Sequence, residues 1–257
     1  MPEILFSINS FLATEKDDEM ITDNNEDRKE ILKAIEEDNI SELDKLLSKS
    51  NLLSKSNLSA PMNILNQTII HLAVMFASPK MIENLMKHID QTFFVCNSKM
   101  TPLHYAAQVV HGCVQPCIDM WPETLNFLCS NSMSSLMYAL ENNLPDTAKK
   151  LFARKDTDLS LRDKNGNNML FYLAEFPKKR VNDLFKCFIK KLKKEMLTGV
   201  NNNGLSAIQV FANKGLIKTL LMAGKGIYND NFLCILNRPL SFKIIAMQLD
   251  RWELPRK

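Results

Sequence analysis

Between Arg28 and Leu47 the apolar positions fall in two short runs: Ile31, Leu32, Ala34 and Ile35, then Ile40, Leu43, Leu46 and Leu47. Steps of three and four put each run on one helix face, so the pattern predicts a helix pair. Asp38-Asn39 makes the turn, and Ser41 is placed to cap the second helix. Charged residues fill the outward positions, as an end unit with one wet side requires. Later runs repeat the spacing: Met81, Ile82, Leu85 and Met86; Leu144, Ala148, Leu151 and Phe152; Val181, Leu184, Phe185, Phe188 and Ile189; Leu216, Ile217, Leu220 and Leu221.

The recurrence has a length. Thr101-Pro102-Leu103-His104-Tyr105-Ala106-Ala107 has counterparts beginning at Thr68, Ser134, Asn168, Ser206 and, faintly, Arg238. The steps are 33, 33, 34, 38 and 32 residues, and Leu or Ile recurs at the third position. Pro suits a first helical turn because its missing N–H has no partner there, and Thr before it caps the helix. The segment resembles the opening of an ankyrin repeat, whose period is about 33. Asp163-Lys164-Asn165-Gly166 and Asn201-Asn202-Asn203-Gly204 place Gly two residues before the mark, where a tight turn needs left-handed backbone. Asn66 adopts that conformation at modest cost. Lys99 and Ser132 fit it less well, so those two turns are expected to be reshaped.

The resemblance implies an all-α, ankyrin-type α-solenoid over residues 28–257, with six repeats plus a C-terminal capping half-repeat. Residues 1–27 read as an acidic, disordered leader. The first repeat is six residues too long, and LSKSNL occurs twice in succession at 47–58; a tandem duplication in a surface loop accounts for the excess. The next repeats run over 63–95, 96–128, 129–162, 163–200 and 201–230. In the repeat at 96–128, Pro116 should start the second helix and Pro122 stop it. The repeat at 163–200 is the longest, with its extra residues after the second helix. The tail, 231–257, should form a helix through Leu240, Ile244 and Leu249, with Lys243 where the family carries Ala.

Composition adds compartment and charge. No apolar run reaches the ~18–20 residues a membrane span needs, and Ile4-Leu5-Phe6 has no basic residue before it, unlike a signal peptide. The six Cys lack the paired C-x₂-C spacing of structural zinc sites. Cys96 and Cys129 occupy one slot of successive repeats, and reduced thiols imply cytosol or nucleus. No metal or cofactor is expected. Residues 1–47 carry 14 acidic and 5 basic side chains, so the array that follows is basic. The stretch Lys178-Lys179-Arg180, Lys186 and Lys190 to Lys194 reads three ways: the wet face of a second helix, a bipartite import signal or site for an acidic partner, or a calmodulin target. No nucleic-acid recognition motif appears. There is no phosphate loop, H-E-x-x-H or G-x-S-x-G. His71 and His104 share a repeat slot, which marks them as scaffold; His111 and Cys113 are a possible thiol–imidazole pair.

Arrays of this family present turn tips and first-helix faces as one binding strip. By position the tips are Gln67, Lys99, Met100, Met133, Lys164, Asn167 and Leu205, and the helix-face residues are Tyr105, Tyr138 and Tyr172. Tyr gives rigid, amphipathic contact area, though a Tyr beside a turn also serves as ordinary packing. The resemblance implies a monomeric, non-catalytic module that binds a protein. It would act as a scaffold or stoichiometric inhibitor, as ankyrin-type inhibitors of transcription factors do. The alternative is an adaptor for a larger complex such as a ubiquitin ligase; such adaptors usually append a box domain, and about 25 residues follow the sixth repeat.

Overall fold

A short polar side chain precedes the apolar run of the helices beginning at Ile69, Pro102, Ser135, Met169 and Ala207. The computed structural model describes residues 25–49, 65–89 and 94–216, with Pro61 and Thr219. The first pair is α1 (Asn25–Glu36) and α2 (Ile40–Lys49). Asp38, at φ 52°, turns the chain between them. The cap of α2 is Asn39, whose Oδ1 accepts from the Glu42 N–H at 3.1 Å. Ser41, expected in that role, lies already inside the helix.

Two compact units follow from the packing, residues 1–131 and residues 132–257. The first holds α1 and α2, then α3 (Ile69–Phe76) with α4 (Pro79–Met86), and α5 (Pro102–Ala106) with α6 (Val114–Met120). Within it α3 packs on both α1 and α5, while α4 packs on α6. The second unit holds α7 (Ser135–Glu141) with α8 (Pro145–Ala153), α9 (Met169–Glu175) with α10 (Lys178–Phe188), α11 (Lys194–Thr198) and α12 (Ala207–Asn213). There α9 lies against α7 and α12, and α8 against α10. In both units, therefore, first helices stack on first helices and second on second. The stacking is close because Ala73, Ala106, Ala107, Ala139, Ala174 and Ala212 are buried on the first helices or at their ends. Aromatic rings pack against one another in the second unit: the Phe152 and Phe188 centroids lie 4.1 Å apart, and Phe185 meets Phe211 edge-on at 5.8 Å. Among the described residues there is no strand, only the isolated bridges Pro61–Thr68 and Val200–Ser206.

Several expectations change. The turns at Lys99 and Ser132 are not reshaped. Both residues take left-handed backbone, at φ 54° and 56°, as do Asn66, Gly166 and Gly204. A β-carbon there costs about 1–2 kcal/mol, which the turn's hydrogen bonds must offset. Pro116 falls inside α6, and Pro122 opens a 3₁₀ turn, Pro122–Asn126. Trp121 between them is fully buried. The extra length after α10 is a 3₁₀ turn, Ile189–Lys191, followed by α11. Residues 1–24, nearly all of the duplicated loop, the second helix expected after Leu216, and the tail with Arg238, Lys243 and Cys234 lie outside the described residues.

The two turn glycines separate backbone freedom from space. A β-carbon on Gly204 would meet nothing within 4 Å, whereas on Gly166 it would lie 2.7 Å from Asn202 Oδ1 and 3.1 Å from Asn202 N. Gly204→Ala should cost about 1 kcal/mol, the left-handed penalty alone. Gly166→Ala should cost clearly more. Urea midpoints of the two variants check this, and equal losses would contradict it.

Candidate functional site

From α3 onward, each first helix opens on a cap residue with extended backbone: Thr68, Thr101, Ser134, Asn168 and Ser206. Three residues on, His71, His104 and Gln209 reach back to the cap. Nδ1 of His71 takes the Thr68 N–H at 3.1 Å, and Nδ1 of His104 takes the Thr101 N–H at 3.1 Å. Gln209 Oε1 takes the Ser206 N–H at 2.8 Å. Nε2 of His71 donates to the Met100 carbonyl at 3.1 Å. Nδ1 accepts an N–H and a carbonyl only accepts, so His71 is neutral with its proton on Nε2. The ring thus ties its own helix start to the next turn. Burial pushes its pKa down to about 4.

The turns share one design. In residues 96–100, 163–167 and 201–205 the first N–H donates to the fifth carbonyl, and the fourth N–H to the first carbonyl. Successive turns are then bonded to each other. Asn97 N–H donates to Leu65 O at 2.9 Å, Ser130 N–H to Ser98 O at 2.8 Å, and Asn202 N–H to Asn165 O at 2.9 Å. Asp163 centres its own turn: its carboxylate accepts from the N–H groups of Asn165 and Asn167 at 2.8 and 2.7 Å, and from Asn167 Nδ2 at 3.1 Å.

Tyrosine hydroxyls reach back nine residues to the first turn position. Tyr172 donates to Asp163 Oδ2 at 2.7 Å. The Tyr105 hydroxyl lies 3.5 Å from Cys96 Sγ and accepts from Gln67 Nε2 at 2.7 Å, and its ring meets His71 edge-on at 5.5 Å. Both phenols are held above their ordinary pKa, chiefly by burial; the Cys96 bond adds for Tyr105 and the Asp163 bond for Tyr172.

In the first unit, Lys99 is exposed, Met100 and Tyr105 are half-buried, and Gln67 is 1% exposed. In the second, Lys164 and Leu205 are exposed, Asn167 and Tyr172 are half-buried, and Met133 and Tyr138 are buried. Asn167 Oδ1 is taken by Asn201 Nδ2 at 2.8 Å, so its amide links two turns. Two residues that sequence reasoning passed over share the first-helix surface. Glu141 and Glu175 are exposed, each three places after its Tyr; the shared slot was the available signal. Burial, then the charge of Asp163, raises the Glu141 pKa. Glu175 pairs with Lys214.

Among the described residues no group of three or more His, Cys, Asp or Glu could hold a metal ion. Burial pushes the Cys113 thiol up to about 12 and Cys117 up as well, so both stay protonated. Cys113 donates to the Ala77 carbonyl at 3.2 Å and lies 3.9 Å from the His111 carbonyl. The second helix α10 buries Val181, Leu184, Phe185 and Phe188 and leaves Arg180 and Lys186 exposed.

This arrangement of capped helix pairs and bonded turns is the ankyrin-repeat fold. No family model and no curated protein sequence matches the chain. Solved structures do. The ankyrin repeat domain of Bcl-3, a member of the IkappaB protein family, superposes with a TM-score of 0.64 at 18% identity, covering 84% of this chain and 97% of that one. The ankyrin repeat protein EF0377 gives 0.59 at 15%, over 75% of this chain and 96% of that one. An ankyrin repeat domain from Acinetobacter baumannii gives 0.58 at 17%, over 76% and 97%.

The buried neutral imidazole has a pH consequence. Unfolded, His71 takes a proton below about 6.5; folded, it resists until about 4. The unfolded state therefore binds more protons in that window, and stability falls as pH drops from about 6.5 to about 4. The full shift corresponds to about 3 kcal/mol. His71→Gln, which borrows the Ser206–Gln209 pattern, should flatten this part of the profile. Denaturation at pH 7 and pH 4.5 checks it; an unchanged pH dependence in the variant would count against the neutral-imidazole reading.

Proposed function

We propose that the chain is a non-catalytic protein-binding module that masks its partner stoichiometrically, with turn tips and first-helix faces as the contact surface. The observation that carries the reading is the way Tyr105 and Tyr172 are held. Each residue is half-buried while its hydroxyl is fixed by hydrogen bonds to turn residues. An aromatic group already locked in place loses little entropy when a partner covers it. Lys99, Lys164 and Leu205 are the exposed tip positions, and Met100 and Asn167 stand beside them. Gln67, Met133 and Tyr138 act from beneath, by supporting the tips.

The likeness to an IkappaB-family ankyrin domain favours an inhibitor or scaffold whose partner is of the transcription-factor type. The reading places such a module in the cytoplasm or nucleus.

The test uses tip substitutions that leave the Tyr network intact: Lys99→Asp, Lys164→Asp and Leu205→Asp together. Asp tolerates the left-handed backbone at Lys99. The partner captured by the full chain should bind the triple variant at least tenfold more weakly, with the far-ultraviolet helical signal unchanged. Undiminished binding would remove the tips from the interface.

A further inference from the structure

A second surface lies on the opposite helices of the second unit. In α10 the buried stripe is Val181, Leu184, Phe185 and Phe188. On the other side of the same helix, and in the turn that continues it, Arg180, Lys186, Lys190 and Lys193 are exposed. The stripe from Arg180 to Lys190 is about 15 Å long at the helical rise. Lys191 does not belong to it. Its Nζ donates to the carbonyls of Phe152 and Arg154 at 2.7 and 2.9 Å and sits 4.7 Å over the Phe152 ring. That lysine closes the end of α8 rather than facing a partner.

This placement decides how the basic stretch can be used. A receptor that takes the segment as an extended strand, or one that wraps its apolar residues, must first pull Phe185 and Phe188 from their packing against Phe211 and Phe152. Losing the packing of such buried rings is strongly unfavourable. The charges are instead displayed on a folded face.

We infer that this folded face is a docking surface for an acidic protein segment, separate from the turn tips. Asp183 argues for a peptide over a nucleic acid. It is exposed in the middle of the stripe and pairs with Lys186 at 3.5 Å. Glu195 is exposed just beyond. An unbroken run of phosphates along the stripe would meet Asp183, whereas carboxylates spaced along an extended chain pair with the cations and skip it. About 15 Å accommodates four or five extended residues. The apolar side chains at this surface are the half-buried Ile189 and the exposed Cys187, too small a patch for the insertion a lipid bilayer would require.

Fluorescence anisotropy of the full chain tests this with three probes: a short peptide whose glutamates are separated by neutral residues, a single-stranded oligonucleotide of equal charge, and vesicles containing phosphatidylserine. The comparison variant carries Arg180→Glu, Lys186→Glu and Lys190→Glu. A control carries Lys149→Glu and Lys155→Glu, which are exposed on other segments. The peptide should bind the wild type and the control alike, weaken with added salt, and lose at least tenfold in affinity with the triple variant. Peptide binding that is absent, or that survives the triple variant, overturns the inference. So does tighter binding of the oligonucleotide or the vesicles than of the peptide. A helical signal equal to wild type is required of the triple variant; if it unfolds, Lys186→Glu alone, at a side chain 58% exposed, should weaken the peptide by two- to fivefold, and no change would equally sink the idea.

Discussion

Everything in this structure rests on a backbone bond between neighbouring turns. A helix pair of this size cannot bury its apolar face alone. It needs the next pair at a fixed register, and within each unit register is set where an N–H group, Asn97 in the first and Asn202 in the second, meets a carbonyl of the preceding turn. To present those groups, each turn ends on a residue with positive φ, whether or not that residue is glycine. The conformational penalty at Lys99 and Ser132 is accepted because the alternative is an unpaired backbone group in the stack.

From that constraint the side-chain chemistry follows. The residue two places after the left-handed position caps the next helix, and His71 ties this cap to the following turn through Met100. Asp163 gathers its turn's N–H groups and receives the Tyr172 hydroxyl. In the first unit Cys96 and Gln67 take the equivalent place around Tyr105. A polar network buried behind the tips is thus what makes the tips rigid, and rigidity is what a binding surface gains most from.

The helix pairs were legible because helical periodicity and cap residues act within a few positions. Thr68, Thr101, Ser134, Asn168 and Ser206 announce the helices that follow. The left-handed turns at Lys99 and Ser132 were not, because the preference comes from the neighbouring turn rather than from the side chain. Asn39 was overlooked in favour of Ser41 for want of a one-residue boundary. Gln67 reads as a tip by position but points inward to Tyr105, a contact 38 residues away. Lys191 belongs to a basic run in sequence, yet it closes a helix 39 residues upstream. Separations of that kind leave no local signature.

The most direct measurement is native-state amide hydrogen exchange at Asn97 and Asn202. If turn-to-turn bonding holds the helix pairs of each unit in register, these two amides exchange as slowly as the buried helical amides beside them, despite lying in surface turns. Exchange at the rate of a free loop, with the helices still protected, would show that the pairs stack without the turns and would contradict the account.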